Sequence, residues 1–217
     1  MIVLGLTGSI GMGKSTAAAA LRRLGVPLYD ADAEIHRMLG PGGSAVAAVE
    51  AAFPGVRGED GAIDRRRLGQ RVFGKPAELR RLEHILHPLV RAVERHWVAR
   101  ARARHEKLVV LDIPLLFETS RIDRVDGVIV VSAPARLQRE RVLRRPGMSR
   151  ERLAAILATQ YPDRRKRQRA DFVVATALSR AAAARQLTGI VRRVRRGEWR
   201  RSARLRRLRG RHACVKS

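Results

Sequence analysis

The first sixteen residues of the chain read MIVLGLTGSIGMGKST. Residues 2–6 form a short, continuous apolar run rich in branched side chains, which is typical of a strand buried on both faces. Residues 8–15, GSIGMGKS, then fit the pattern G-x-x-x-x-G-K-[S/T], and an Ala- and Leu-rich stretch over 14–24 is predicted to be helical. A strand, a glycine-rich turn and a helix in this order are the setting in which the pattern indicates a phosphate-binding loop, or P-loop.

The residue types in this loop suit the phosphates of a nucleoside triphosphate. Glycines let the chain turn with its amides pointing inward, so that backbone N–H groups and the positive end of the helix surround the phosphates. Lys14 can reach the outer phosphates, and the Ser15 hydroxyl can ligate Mg²⁺. We therefore predict that ATP and Mg²⁺ bind at Gly8, Gly11, Met12, Gly13, Lys14, Ser15 and Thr16.

The rest of the chain alternates short apolar runs with stretches of helical composition. Further strands are predicted at 26–29, 108–113, 128–131 and 172–174, and further helices at 76–104, interrupted at Pro88, and 134–144. Strands that alternate with helices, each too apolar to be half exposed, favour a mostly parallel sheet that is covered on both sides. The predicted fold is therefore α/β, of the P-loop nucleotide-binding type.

Two insertions divide the predicted core. The gap between the second and third strands is far longer than one crossover helix requires, so we expect a helical insertion over residues 33–106. A smaller insertion, 139–169, separates the fourth and fifth strands. The expected organisation is one domain over 1–191 and a basic, disordered tail, with the core at 1–32, 107–138 and 170–191 and the tail at 192–217.

Composition and charge narrow the classes of protein and partner. The 217 residues carry 46 Lys and Arg against 20 Asp and Glu, a net charge of +26, which attracts polyanions in general. Residues 192–217 alone hold twelve basic residues and one acidic residue, so non-specific polyanion binding by this tail is expected.

The sequence predicts no membrane-spanning helix and no signal peptide, hence a cytoplasmic protein. The one cysteine, Cys214, excludes an internal disulfide and a multi-cysteine zinc site.

Three aspartates follow predicted strands, at the edge of a parallel sheet where active sites lie. Asp32 is the preferred general base, because it could orient an acceptor hydroxyl and receive its proton, while Asp30 organises the metal or its waters. The alternative is that one of the pair only caps the helix that follows. Asp112 ends an apolar strand, as the metal-binding aspartate of P-loop enzymes does, although an aspartate at such a position is also common by chance.

The sequence resembles the dephospho-CoA kinase family over residues 2–190. The order and spacing of the matching positions, rather than any one of them, carry the resemblance. The matching positions are residues 6–16, Asp30-Ala31-Asp32 with His36, 63–68, Val72-Phe73, Leu86-His87-Pro88, 114–118, Gln138 with Arg141 and Arg145, and Gln160 with Lys166 and Ala170-Asp171. One departure follows the fifth strand, where the family commonly has Asn and Gly and this chain has Thr176-Ala177-Leu178. The departure puts a contact from this loop to adenine in doubt.

The resemblance implies transfer of the ATP γ-phosphoryl group, with Mg²⁺, to the ribose 3′-hydroxyl of dephospho-CoA. It implies that Asp32 is the catalytic base, that residues 33–106 bind dephospho-CoA and that 139–169 form a lid over ATP. Arg141 and Arg145 match family positions in an arginine-rich stretch and are expected to contact phosphate.

Arg65 and His87 are expected to contact the substrate. For His87-Pro88 the alternative is a kink, at which His87 caps or packs and Pro88 restarts the helix.

Two other functions compete with this interpretation. The first is a different small-molecule P-loop kinase that acts on a nucleoside or nucleotide, against which the large helical insertion and residues 114–118 argue. The second is a nucleic-acid-binding protein that uses the arginine-rich tail. Aromatic residues make up only 4% of the chain, which leaves little means to stack on bases, and no recognition motif for specific nucleic acid is present.

Overall fold

A computed structural model describes residues 1–118 and 121–199 of the chain. These residues form two compact units, a core unit made of Met1–Tyr29 with the chain from Ala101 onward, and a second unit made of Asp30–Arg100. The range expected for the helical insertion, 33–106, overlaps the second unit, which begins three residues earlier and ends six residues earlier. The segment 139–169 belongs to the core unit.

The core unit is built on a five-stranded sheet. Its strands lie in the order β2-β3-β1-β4-β5 and are β1 (Ile2–Thr7), β2 (Leu28–Asp30), β3 (Leu108–Asp112), β4 (Gly127–Ser132) and β5 (Phe172–Ala175). β1 pairs in parallel with both β3 and β4, and β4 pairs in parallel with β5. All residues of β3 and β4 are buried, as the continuous apolar runs predict. The predicted parallel α/β fold is confirmed.

Five α-helices of the described chain belong to the core unit, namely α1 (Lys14–Arg23), α6 (Ala135–Leu143), α7 (Arg150–Thr159), α8 (Asp163–Arg169) and α9 (Arg180–Arg195). A short 3₁₀ helix lies at Arg121–Arg124. α1 and α9 bury Leu21 and Leu187 in one cluster with Leu4, Leu6 and Ile129 of the central strands. Burial of this apolar surface is the main source of stability for the sheet that carries the P-loop.

The second unit consists of four helices with a hydrophobic core of their own. They are α2 (Ala31–Leu39), α3 (Val46–Ala52), α4 (Arg65–Val72) and α5 (Pro76–Ala103). Val49, Val56 and Val90 are fully buried in that core. The expectation that the helix restarts at Pro88 is wrong, because α5 runs through this proline without a break. A proline removes one backbone hydrogen bond; Leu86 and Val90, which are buried on either side of it, hold the helix in place by packing.

The carboxyl-terminal part of the core unit extends past the expected boundary at residue 191. α9 continues to Arg195, and the Trp199 ring lies 5.7 Å from the Phe172 ring, centroid to centroid. Gly127 leaves room for this ring, since a Cβ atom there would lie 2.6 Å from Trp199 Cζ2. Residues 192–199 are therefore part of the folded unit, and the remainder of the expected tail, with Cys214, lies outside the described residues. Among the described residues, no helix has the length and apolar character that crossing a bilayer requires.

We expect Trp199→Ala to lower the free energy of unfolding by about 3 kcal/mol, because truncating a buried aromatic side chain removes packing and leaves a cavity. Trp199 is 8% exposed, whereas Leu178 is 86% exposed and supplies the control variant Leu178→Ala. The control should change the stability by less than about 0.5 kcal/mol in urea unfolding. Equal losses for the two variants would contradict the assignment of residue 199 to the core.

Candidate nucleotide-binding site

The loop between β1 and α1 has the backbone geometry of a phosphate cradle. Gly11 and Gly13 adopt positive φ angles of 76° and 89°, a left-handed conformation that side chains disfavour. α1 begins at Lys14, and its first turn contains no acidic residue. The free amides of this turn and the positive end of the helix dipole therefore face the loop without a competing carboxylate from the helix itself.

The loop also lies very close to its neighbours. A Cβ atom at Gly8 would lie 2.4 Å from Val131 Cγ2 and 2.8 Å from the Val131 carbonyl oxygen. A Cβ atom at Gly13 would lie 3.2 Å from Thr176 Oγ1. Gly8 is therefore required by its close approach to β4, whereas Gly13 is required mainly by its φ angle.

Lys14 and Asp112 form an ion pair at the carboxyl end of the sheet. Lys14 Nζ donates a hydrogen bond of 2.8 Å to Asp112 Oδ1. Asp112 is the last residue of β3 and is almost fully buried, and a buried carboxylate requires such a partner. The sequence predicts that Lys14 binds phosphate and that Asp112 binds a metal ion. The structure brings these two side chains into contact.

Oxygen ligands suitable for a hard cation are present, but they are few. The Ser15 hydroxyl is exposed in the first turn of α1, and Asp112 supplies a carboxylate at the end of β3. In residues 1–118 and 121–199 there is no group of three or more His, Cys, Asp or Glu side chains that could hold a metal ion. These ligands fit Mg²⁺, which commonly takes one or two protein ligands and completes its shell with substrate phosphates and water.

Thr176 connects the P-loop to an arginine of α6. Its hydroxyl donates to the Met12 carbonyl oxygen at 2.8 Å and accepts from Arg141 Nη1 at 3.2 Å. Arg141 Nη2 also donates to the Thr176 carbonyl oxygen at 2.7 Å. In the sequence analysis, Thr176 stands out only as a departure from the family pattern. The sequence did not predict its contacts with residues 12 and 141. Arg145, by contrast, is exposed just beyond the end of α6.

A family model described as dephospho-CoA kinase matches residues 2–180. The chain belongs to the dephospho-CoA kinase family. A dephospho-CoA kinase of Paramagnetospirillum magneticum is 66% identical over 167 residues, which are 77% of this chain and 78% of that protein. One of Mesorhizobium japonicum is 54% identical over 195 residues, covering 90% of this chain and 98% of the relative.

Two solved structures are similar to the chain over most of its length. The structure of TT1252 from Thermus thermophilus is similar with a TM-score of 0.75 and 37% identity, over 88% of this chain and 96% of that one. Dephospho-CoA kinase from Campylobacter jejuni has a TM-score of 0.64 and 25% identity, over the same share of each chain. The resemblance found in the sequence is confirmed, and the kinase fold extends over nearly all of the described residues.

The two aspartates that follow β2 differ in their contacts. Asp30 is the N-cap of α2, and its carboxylate accepts a hydrogen bond of 3.0 Å from the Ala33 amide, so the capping alternative is confirmed for this residue. Asp32 is exposed in the first turn of α2, and its carbonyl oxygen lies 2.8 Å from His36 Nδ1. The role of Asp32 as the catalytic base in this family member stays a prediction.

Arg65 and His87, the other predicted substrate contacts, also lie in the second unit. Arg65 is exposed at the start of α4, directly after the capping residue Asp64. The Arg67 amide, which donates to the Asp64 carboxylate, is the main reason that the pKa of Asp64 lies below its usual value. His87 is half-buried in the middle of α5. The capped turn positions Arg65, and substrate contact by either residue stays a prediction.

We expect Thr176→Val to lower the free energy of unfolding by about 1–3 kcal/mol, because the Met12 carbonyl loses its donor and Arg141 loses an acceptor. Thr176→Ser keeps the hydroxyl and serves as the matched control, with a smaller loss. Urea unfolding of both variants measures the difference. If serine and valine destabilise the protein equally, the hydroxyl contacts do not hold the loop.

Proposed function

We propose that this chain transfers the γ-phosphoryl group of ATP to the 3′-hydroxyl of the ribose of dephospho-CoA, which gives coenzyme A and ADP and completes coenzyme A synthesis. The observation that carries the proposal is the match of residues 2–180 to the dephospho-CoA kinase family, combined with a P-loop whose lysine contacts Asp112 at the end of β3. The enzyme is accordingly a kinase with an alcohol acceptor.

The core unit supplies the ATP site in this proposal. The backbone amides of Gly11 and of residues 13–16, together with the positive end of α1, hold the phosphates, and Lys14 neutralises charge on the outer ones. Lys14 already lies beside the sheet edge through Asp112, so its ammonium group is near the loop before the reaction. Phosphoryl transfer depends chiefly on such positioning and charge neutralisation, because its transition state is loose and highly charged.

Mg²⁺ is the proposed cofactor, held by the Ser15 hydroxyl and the Asp112 carboxylate together with phosphate oxygens. When bound, it would neutralise charge that develops on the transferred phosphoryl group. Asp112 then has two functions in this chain, because the same carboxylate accepts a hydrogen bond from Lys14. It keeps that lysine at the site and offers a hard oxygen ligand to the cation.

The second unit is proposed to bind dephospho-CoA. Asp32 is the proposed base, which orients the acceptor hydroxyl and receives its proton, and its exposure on α2 leaves the carboxylate accessible. Arg65 and His87 are proposed to contact the same substrate. Arg141 and Arg145, at the start of the proposed lid 139–169, would neutralise phosphate charge.

Two further proposals concern partners and location. Exposed arginines at the end of α9, namely Arg192, Arg193, Arg195 and Arg196, support non-specific polyanion binding by the basic end of the chain. A cytoplasmic location is proposed in keeping with the kinase family to which the chain belongs. No specific nucleic acid is proposed as a partner.

The substrate assignment is tested by incubating the purified protein with ATP, Mg²⁺ and either dephospho-CoA or a panel of nucleosides and nucleotides. We expect only dephospho-CoA to gain one phosphate by mass, because the family match covers the second unit as well as the P-loop. A nucleoside that gains phosphate while dephospho-CoA does not would replace this proposal with a different small-molecule kinase.

We expect Asp32→Asn to fold, to bind ATP and to lose about two orders of magnitude or more of kcat, because the acceptor hydroxyl loses its base. Glu59→Gln removes another exposed carboxylate of the same unit and should leave turnover unchanged. A coupled ADP assay measures both variants. Turnover of Asp32→Asn at the rate of the parent enzyme would remove Asp32 from the catalytic role.

A further inference from the structure

Two glutamines hold both backbone groups of one P-loop residue. Gln138 Nε2 donates a hydrogen bond of 2.7 Å to the Ile10 carbonyl oxygen, and the Ile10 amide donates one of 3.0 Å to Gln160 Oε1. Gln138 lies on α6 and is buried, whereas Gln160 directly follows α7. The two side chains are far apart in sequence from the loop, yet they converge on a single residue of it.

The hydrogen bond from Gln138 fixes the direction of a phosphate-binding amide. The Ile10 carbonyl belongs to the same planar peptide group as the Gly11 amide, so the orientation of one determines the orientation of the other. Gly11 has a φ angle of 76° and no side chain, and a glycine tolerates rotation of the preceding peptide more easily than other residues do. Such a rotation would turn the Gly11 N–H away and present the Ile10 carbonyl oxygen to the phosphates instead.

The surroundings of the two glutamines keep them in place. A Cβ atom at Gly11 would lie 2.5 Å from Val142 Cγ2, so α6 packs directly against the loop. Next to Gln160, the Tyr161 amide donates to Glu118 Oε1 at 2.8 Å. The same carboxylate oxygen lies 2.8 Å from the ammonium group of Lys166, which is fully buried in α8. Both glutamines are therefore presented by fixed backbone.

We propose that Gln138 and Gln160 are positioning residues for ATP. Gln138 holds the Ile10–Gly11 peptide in the orientation that points the Gly11 amide at the phosphates, and Gln160 holds the preceding Ser9–Ile10 peptide through the Ile10 amide. This inference rests on the proposed ATP site at the P-loop. Gln138 acts as a hydrogen-bond donor and Gln160 as an acceptor, and the two roles predict different responses to the same substitution.

Replacement of glutamine by glutamate distinguishes the two roles. A carboxylate accepts hydrogen bonds and donates none, so Gln160→Glu keeps the bond from the Ile10 amide. Gln138→Glu loses the donor and places a carboxylate against the Ile10 carbonyl oxygen. Both variants add the same negative charge near the P-loop, but Gln138 is the more deeply buried of the two, so a neutral variant that lacks the donor is needed beside them. Gln70→Glu, at an exposed position on α4, is the control for the substitution itself.

The experiment measures the Kd of ATP by calorimetry, together with the KM for ATP and for dephospho-CoA. We expect Gln138→Glu to weaken ATP binding by at least about tenfold and Gln160→Glu by less than about threefold, with little change in the KM for dephospho-CoA. Gln70→Glu should match the parent enzyme. Because a buried glutamate could prevent folding, Gln138→Met provides a neutral variant that lacks the donor, and it should also weaken ATP binding more than Gln160→Glu does.

Equal weakening of ATP binding by the two glutamate variants would overturn the proposal, as would parent-like ATP binding by Gln138→Met. A KM for dephospho-CoA that rises in parallel with the Kd of ATP would also overturn it, since that pattern indicates general damage to the fold. If the parent enzyme binds ATP and shows the predicted asymmetry but does not phosphorylate dephospho-CoA, the proposed function fails and the inference about the glutamines stands.

Discussion

The amides of the loop between β1 and α1 must converge on one point if they are to hold a phosphate, and much of the core unit serves that requirement. Gly11 and Gly13 adopt left-handed conformations that let the amides turn inward. Such a backbone is intrinsically flexible, so the surrounding structure has to restrict it. β4 packs against Gly8, Thr176 holds the Met12 carbonyl, and the two glutamines hold Ile10. The cradle is thus defined by its neighbours as much as by its own glycines.

Two lysines of the core unit have surroundings that differ from those of most of its arginines. Lys14 and Lys166 are paired with the carboxylates of Asp112 and Glu118, which lie at the end of β3 and in the segment just after it. A compact ammonium group of this kind can be placed beside a single carboxylate oxygen. Most arginines of α6 to α9, by contrast, are exposed. The positive charge of these helices therefore lies mainly on the surface, while the carboxylates of Asp112 and Glu118 are each matched by a lysine.

The five strands and the P-loop could be predicted because their signals are local. A continuous apolar run, a glycine-rich turn and an Ala-rich helix lie within the first 24 residues, and the pattern requires no knowledge of distant partners. The contacts that stabilise the loop were not predictable in this way, since Gln138, Gln160 and Thr176 lie 128, 150 and 164 positions from the residues they bond. The position of Trp199 was missed for a related reason, because the many arginines around it hid one buried aromatic residue that packs on β5.

Hydrogen bonds and an ion pair hold both ends of the proposed lid, 139–169. The two arginines assigned to this lid differ in how far they are held in place. Gln138 and Gln160 both bond to Ile10, and Lys166 is buried against Glu118, so any closing movement is confined to residues 139–159. Arg141 lies within that segment but is bonded twice to Thr176, which contacts the P-loop itself. Arg145 lies beyond the end of α6 and is exposed. If the proposed phosphate contacts are made, Arg141 would therefore act from the position that Thr176 gives it, whereas Arg145 would have to be brought to the nucleotide by the segment that follows α6.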